Sequence, residues 1–155
     1  MYFQTLVKEK YSKEKVSMFI DMDGVIADYD VGNPLNFQSK RPVTTNINTI
    51  KEISKYSNIT LYILSICHFS YQVEEKNNWL DKNAPFFKKE NRIIIPKELH
   101  KGFESKELKF QALKEYLNNN KETKIVVVDD DNVILKYLKK ELPNIDLYHN
   151  SSIQD

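Results

Sequence analysis

Five short runs of apolar residues, rich in β-branched side chains, recur along the chain without strict alternation of apolar and polar positions. Runs of this kind are typical of strands that are covered on both faces, as in a parallel sheet. The pattern therefore predicts a sheet of largely buried strands. These strands span residues 16–21, 59–65, 92–96, 124–129 and 145–149.

Segments with helical spacing lie between the predicted strands. One helix follows Pro42, one ends before Pro85, one covers residues 105–119 and one stops at Pro143. The alternation of strands with helices predicts an α/β fold, a three-layer Rossmann-like open parallel sheet with right-handed crossovers. The apolar positions that mark the helices are Ile47, Ile50 and Ile53, then Val73, Trp79 and Leu80, then Phe110, Leu113, Tyr116 and Leu117, and finally Ile134, Tyr137, Leu138 and Leu142.

Length and composition are compatible with this fold. The chain has 155 residues, of which 41% are hydrophobic and 29% are charged, as in ordinary soluble globular proteins. We predict a single domain over residues 1–155, in which residues 29–42 form the one long irregular loop, a flap or minimal cap.

The charge balance narrows the range of partners. The 23 basic and 22 acidic residues give a net charge of +1, so nothing in the overall charge favours nucleic acid or an anionic membrane. No apolar run approaches the ~20 residues of a membrane helix, and residues 1–15 are too charged for a secretory signal. The lone Cys67 forms no internal disulfide, which fits a reducing compartment. We therefore expect a cytoplasmic protein with no membrane partner.

Three of the five predicted strands end in residues whose side chains carry oxygen atoms. Asp21 ends the first strand, Ser65 the second, and Asp129 with Asp130 the fourth. Ligands of open α/β sheets bind beyond the carboxyl ends of the strands, so we expect these groups to share one edge. Buried carboxylates need a compensating charge, and Mg²⁺ prefers a few carboxylate oxygens together with water and phosphate. The pattern predicts a Mg²⁺ site at this edge.

The third predicted helix supplies a basic group. Lys106 and Lys109 both project onto its apolar side near its start, where a lysine can reach phosphate oxygens at the sheet edge. Lys109 has the better spacing to Ala112 and Leu113, whereas Lys106 is closer to the helix start. Both lysines stay candidates, and Lys109 is favoured.

Four short sequence motifs follow one another along the chain. "DMDGV" follows an apolar strand, a serine follows "LYIL", a lysine heads the "KFQAL" helix, and an acidic pair follows "IVVV". Together they resemble the motifs of the haloacid dehalogenase superfamily of phosphatases, and the similarity spans residues 16–149. "DMDGVIADYD" with "VEEKNNWLDKNAPFF" is similar more narrowly to the 5′(3′)-deoxyribonucleotidase-like branch.

The resemblance implies a Mg²⁺-dependent phosphomonoester hydrolase with an aspartyl-phosphate intermediate. Asp21 would attack phosphorus, and Asp23 would protonate the leaving oxygen and then activate water. Gly24 would allow the sharp turn of the backbone, Ser65 would donate a hydrogen bond to a phosphoryl oxygen, and Lys109 would offset negative charge.

The resemblance also implies the ligands of the metal. Mg²⁺ would lie between Asp21, the main-chain carbonyl of Asp23 and the acidic pair, where it separates the nucleophile from the anionic substrate. Asp129 and Asp130 are equally suitable as the direct ligand from that pair. Asp131, the next residue, is expected to cap the following helix.

Two other functions use similar groups. A phosphorylation-dependent receiver or binding module also combines an acidic pair, a hydroxyl and a lysine, but its accepting Asp lies on a middle strand, the reverse of the order here. A catalytically dead phosphatase fold would serve as a scaffold, although every motif residue is present. A receiver would keep its phosphoryl group and show no turnover.

The spacing of the motifs leaves little room for a cap domain. Between Asp21 and Ser65 only the loop near residues 29–42 remains after a helix and a strand are placed. An open site suits a phosphate on a bulky molecule, such as a nucleic-acid end, and also admits nucleotides. Tyr29 or Phe37 in the loop would then stack on a base. The expected partner is therefore a phosphorylated substrate.

Overall fold

The predicted parallel sheet is present. The structure, a computed structural model, describes residues 2–29 and 36–153. All five strands are parallel, in the order β3-β2-β1-β4-β5, and each coincides with a predicted run to within two residues. The strands are Val16–Ile20 (β1), Ile59–Cys67 (β2), Arg92–Pro96 (β3), Lys124–Asp129 (β4) and Asp146–His149 (β5).

Five α-helices accompany the sheet in the described residues, one more than predicted. The additional helix, α1, precedes the first strand and was missed because its sequence is mostly polar, with Phe3 and Val7 as its only buried residues. The helices are Tyr2–Lys10 (α1), Thr44–Ile53 (α2), Tyr71–Asn83 (α3), Ser105–Asn119 (α4) and Asn132–Glu141 (α5).

The sheet separates two apolar layers. On one side, alternate residues of β1 such as Met18 and Ile20 pack with α1, α2 and α3, and on the other side Phe19 packs with α4 and α5. Each fully buried side chain of this size contributes roughly 1.5–3 kcal/mol relative to an exposed one. The result is the expected three-layer arrangement, with helices on both faces of a sheet whose central strand is β1.

The loop after β1 is only partly described. Residues 30–35 of the predicted flap lie outside the described residues, and the part that follows is joined to the segment after β1 by an isolated bridge between Ala27 and Pro42. The expectation that Phe37 stacks on a base is wrong. Its ring is 2% exposed and packs edge-on against Trp79, so it is not available to a base. Tyr29, by contrast, is 61% exposed.

No inserted domain follows β1 or β2 within the described residues, as the motif spacing predicts. The helices of residues 2–29 and 36–153 are all too short or too polar to cross a membrane.

Candidate active site

The candidate site is built around a tight turn that follows β1. The N–H of Asp21 donates to Val128 O at 3.0 Å, so this residue still belongs to the ladder between β1 and β4. The carbonyl of Met22 then accepts the N–H groups of Val25, Ile26 and Ala27 at 2.9–3.2 Å. This turn stops the strand and places Asp21 and Asp23 in different surroundings.

Gly24 allows the acidic pair to approach this turn. Its φ is +76°, and a Cβ at this position would lie 2.0 Å from Oδ2 of Asp130. Two residues near the end of β5 hold the arrangement: Asn150 Nδ2 donates to Gly24 O at 2.7 Å, and His149 Nε2 lies 3.1 Å from Asp130 O. Any side chain at Gly24 therefore displaces the Asp130 carboxyl group.

If the site is catalytic, a Gly24→Ala variant should lose about 10²-fold in kcat/KM, because misplacement of a reacting group by about 1 Å has an effect of that size. Gly102→Ala is the matched control, since Gly102 also has a positive φ, +89°, but has no atom within 4 Å of an added Cβ. Both variants should lose roughly 1–3 kcal/mol of stability from backbone strain. Equal activity of the two variants would contradict the role given to the Asp130 contact.

Lys109 is the cation at the centre of the site. Its Nζ donates to Asp21 Oδ1 at 3.0 Å and to Asp129 Oδ2 at 2.6 Å, and its side chain is 2% exposed. The start of α4 is fixed by a capping box between Glu104 and Glu107. Lys106 does not reach the site, because its ammonium pairs with Glu104 at 3.4 Å, so only one of the two candidate lysines contacts the strand-end carboxylates.

The two acids of the pair have different environments. Asp129 is 1% exposed, and both of its oxygens accept hydrogen bonds, Oδ2 from Lys109 and Oδ1 from the N–H of Asp131 at 3.0 Å. Asp130 is less buried and faces the site. Asp131 caps α5 as predicted, with its Oδ1 accepting the N–H of Val133 at 2.8 Å.

Three carboxyl groups form a cluster suited to a metal ion. One oxygen from each of Asp21, Asp129 and Asp130 lies within 4.8 Å of the others. Three carboxylates against the single ammonium of Lys109 leave a formal charge of −2. Burial raises the pKa of Asp21 well above its usual range; Lys109 opposes this shift and Asp129 adds to it. Burial and the charge of Asp129 also raise the pKa of Asp130.

These properties fit a divalent cation. The donors are all carboxylate oxygens with no His or Cys among them, which is the ligand type of hard cations such as Mg²⁺. A charge of +2 would balance the cluster and favour the ionised forms that burial opposes.

Asp23 lies in a basic environment. Its Oδ2 accepts a hydrogen bond from Lys76 Nζ at 2.9 Å, and its Oδ1 pairs with Lys40 Nζ. Burial acts to raise the pKa of Asp23, but the ammonium groups of Lys76 and Lys40 outweigh burial, so the pKa is lowered. Two carboxylates separated by one residue therefore have pKa values shifted in opposite directions.

The side chain of Ser65 contacts the ammonium group of Lys76 rather than the carboxylate cluster. Strand β2 continues two residues past the predicted end, and Ser65 is fully buried with its Oγ accepting from Lys76 Nζ at 2.7 Å. Lys76 also donates to Ile66 O at 3.0 Å. Ser65 thus contacts Asp23 through Lys76 in the structure.

Lys40 and Lys76 were not predicted from the sequence. Lys76 belongs to the buried face of α3, three residues before Trp79 and four before Leu80, and this helical spacing was the available signal. Lys40 lies in a loop with no periodicity. It is held by Trp79 Nε1, which donates to Lys40 O at 2.9 Å, while both ammonium groups lie 4.8 Å from the centre of the Phe37 ring.

Two connected cavities open at the carboxyl edge of the sheet. One cavity, of about 450 Å³, is lined by the carboxylate cluster and Lys109, and we call it the inner cavity. The other, of about 360 Å³, is lined by Lys40, Lys76 and His68, and we call it the outer cavity. Asp23 and Tyr29 line both cavities, so the two form one groove. A ligand bound in the inner cavity can therefore continue past Asp23 into the outer cavity.

Neither a protein-family model nor a curated protein matches the chain. Two solved structures are similar in fold. A chain of the Pnkp1/Rnl/Hen1 complex has a TM-score of 0.66 and 14% identity, over 89% of this chain and 46% of that chain. A chain of the Pnkp1/Rnl/Hen1 RNA repair complex has a TM-score of 0.65 and 14% identity, over 89% of this chain and 43% of that chain.

The chain thus spans less than half the length of these structural neighbours. At this sequence identity the likeness establishes a shared fold.

Proposed function

We propose that the protein is a Mg²⁺-dependent phosphomonoester hydrolase that forms an aspartyl-phosphate on Asp21 and acts on phosphorylated nucleic-acid ends or nucleotides. The observation that carries the proposal is the position of Lys109. Its ammonium bridges Asp21 and Asp129, residues 108 positions apart in the chain, beside a third carboxyl group at the open edge of the sheet. This arrangement combines a nucleophile, a cation and metal ligands, which are the groups that phosphoryl transfer needs.

Asp21 and Asp130 would hold the metal directly. Asp129 already accepts hydrogen bonds at both oxygens, so it positions Lys109 and contributes negative charge, whereas Asp130 turns a less buried carboxyl group toward the inner cavity. When bound, Mg²⁺ would neutralise charge on the phosphoryl oxygens and on the nucleophile.

Asp21 would carry the covalent step. One of its carboxylate oxygens attacks phosphorus, and the bond from phosphorus to the ester oxygen breaks as the alcohol leaves. Water then attacks the phosphorus of the aspartyl-phosphate, which releases inorganic phosphate and restores the carboxylate. Lys109, at 3.0 Å from Asp21 Oδ1, holds this group in place and offsets the charge that develops on the phosphoryl oxygens.

Asp23 would handle protons on the other side of the turn. Its lowered pKa keeps it ionised, which is the form that accepts a proton from the attacking water in the second half of the reaction. In the first half, the departing alcohol must gain a proton. Ionised Asp23 has no proton to give, so the departing alcohol would take its proton from water at the open site, while Lys40 and Lys76 hold the Asp23 carboxylate in place.

A nucleic-acid end is the substrate class that the open site supports best. The described residues add no domain that would enclose a small substrate, and the groove continues past Asp23 to Lys40, Lys76 and His68. Both structural neighbours are chains of a Pnkp1/Rnl/Hen1 complex, and one of the two is described as part of an RNA repair complex. That description supports a nucleic-acid end as the substrate.

Purified protein should hydrolyse an aryl phosphate such as p-nitrophenyl phosphate in the presence of Mg²⁺ and lose this activity in EDTA. The physical reason is the formal charge of −2 in the carboxylate cluster, which repels a phosphate dianion until a divalent cation balances it. Release of inorganic phosphate is the measurement, and excess Mg²⁺ should restore it. Hydrolysis that persists without metal would contradict the mechanism, and a stable phosphoprotein without turnover would indicate the receiver alternative.

A further inference from the structure

Exposed apolar side chains are concentrated at the edge of the sheet that carries the candidate site. Of the eight large apolar side chains that are exposed in the described residues, six follow the carboxyl ends of strands, and two belong to α1. The six are Tyr29 after β1, Phe69 and Tyr71 after β2, Leu99 and Phe103 after β3, and Val133 after β4.

Two of these rings form a parallel pair. The ring centroids of Phe69 and Tyr71 are 5.8 Å apart, with an angle of 8° between the ring planes. Phe69 is 40% exposed and Tyr71 is 57% exposed. His68, which lines the outer cavity, has its ring 6.3 Å from that of Phe69. His68 therefore connects the ring pair to the outer cavity.

The backbone beneath these rings is fixed by hydrogen bonds. Gln72 Oε1 accepts the N–H groups of His68 and Phe69, both at 3.0 Å. Glu98 accepts the N–H of Ser70 at 2.6 Å through its side chain and donates its own N–H to His68 O at 3.1 Å. Exposed rings on such a backbone bind a flat ligand with little loss of conformational entropy.

We propose that Phe69 and Tyr71 form a stacking platform for the bases of a single-stranded nucleic acid whose phosphorylated end lies at Asp21. Aromatic side chains in a row beside a groove that follows the backbone are the usual means of binding single strands without sequence preference. The proposal rests on the proposed function for the position of the phosphorylated end and adds the surface that binds the strand behind it.

The charges along the groove indicate that stacking supplies most of the affinity. In the outer cavity the ammonium groups of Lys40 and Lys76 are matched by the carboxylates of Asp23 and Asp131, and the remaining titratable side chains are His68, Cys67 and Tyr29. The phosphodiester backbone thus meets a balanced surface and neutralises few counterions. A weak dependence on salt follows, in contrast to proteins that bind mainly through phosphate contacts.

The surface is less suited to a protein partner. Ser70 separates the two rings of the stacking platform in sequence, and the polar residues His100 and Lys101 separate Leu99 from Phe103. All three of these polar residues are exposed. Protein interfaces bury a continuous apolar centre with few charged residues, whereas base stacking needs only exposed ring faces.

The test is fluorescence anisotropy with a labelled, unphosphorylated oligodeoxyadenylate of about twelve nucleotides in Mg²⁺ buffer. The probe has no terminal phosphate, so binding is measured apart from turnover. A Phe69→Ala/Tyr71→Ala double variant should bind at least about 10-fold more weakly than the wild type, since each stacked base contributes a comparable factor. Wild-type affinity should fall less than about 10-fold between 50 and 200 mM salt.

Tyr2→Ala provides the matched control. Tyr2 is an aromatic residue of α1 that is 69% exposed, and it lines a separate cavity with Tyr148 and Ser152 beside β5, three strands away from β2. This variant should bind the oligonucleotide like the wild type. The variants Phe69→Tyr and Tyr71→Trp keep a ring at each position and should retain affinity, which separates loss of stacking from loss of folding in the double variant.

Equal affinity of the double variant and the wild type would overturn the proposal, as would failure of the wild type to bind at about 1 mM protein while it hydrolyses aryl phosphate. That second result would leave the proposed function intact.

Oligonucleotide binding that depends on the two rings, in a protein without phosphatase activity, would support the platform and refute the phosphatase. A wild-type dimer that the double variant converts to monomer in sedimentation analysis would assign these rings to self-association and overturn the proposal.

Discussion

An Asp21→Asn variant is expected to lose at least ~10³-fold in kcat for aryl phosphate, with its fold intact. Asparagine has nearly the same shape but no anionic oxygen to attack phosphorus, and loss of a nucleophile removes the covalent route altogether. The change also takes one negative charge out of a cluster with a formal charge of −2, so stability in EDTA should not decrease. Steady-state kinetics and thermal unfolding measure the two effects.

Asp81→Asn is the control for this substitution. Asp81 pairs with Arg92 at 2.8 Å, and Arg92 begins β3, so this carboxylate lies at the opposite, amino-terminal edge of the sheet. It should leave turnover unchanged. Wild-type turnover by Asp21→Asn, in a preparation free of deamidated protein, would refute the nucleophile assignment, and a large loss with Asp81→Asn would indicate a nonspecific effect.

Replacement of Lys109 by Met should lower both kcat and the free energy of unfolding. The same replacement at Lys106 should have little effect on either quantity. Lys109 is the cation that both Asp21 and Asp129 contact, and removal of one partner from a buried ion pair costs about 3–5 kcal/mol. Loss of a charged donor to the phosphoryl oxygens should lower kcat by roughly 10²–10³-fold. Lys106 is 31% exposed and contacts Glu104 instead.

The thermal midpoint with and without Mg²⁺ provides a second measurement on the Lys109→Met variant. A divalent cation supplies charge that the variant lacks, so added Mg²⁺ should raise its midpoint more than that of the wild type. Similar mild losses of activity for Lys106→Met and Lys109→Met would show that neither ammonium acts on phosphate. An unchanged midpoint for Lys109→Met in EDTA would contradict the electrostatic description of the cluster.

The sheet was predictable because buried parallel strands have a strong sequence signal. Each of the five runs became a strand, and the helix predicted over residues 105–119 is Ser105–Asn119 in the structure. Helix α1 escaped prediction because only one stripe, Phe3, Val7 and Tyr11, is buried, while the apolar Tyr2 and Leu6 stay exposed among polar residues. A helix with so few apolar residues on one face is stable only when another helix, here α2, packs against that face.

The acidic half of the site was predictable and its basic half was not. Asp21 follows β1, Asp129 ends β4 and Asp130 follows it, so the topology alone brings the three to one edge. Lys40 and Lys76 reach Asp23 from a loop and from a polar helix, and their burial depends on tertiary packing around Phe37 that no local pattern encodes. The roles of these residues in catalysis stay predictions until the variants are measured.

The central position of β1 also has a consequence for folding. Strand β1 pairs with β2 on one side and, through Val16–Ile20, with residues 124–128 on the other, so its second neighbour is more than a hundred positions away. Contacts of such long sequence separation form slowly. A ribosome-bound chain that still lacks β4 has neither Asp129 nor Asp130, and we expect it to be inert toward phosphate esters. Enzymatic activity would then report completion of the sheet during synthesis or refolding more directly than helical circular dichroism does.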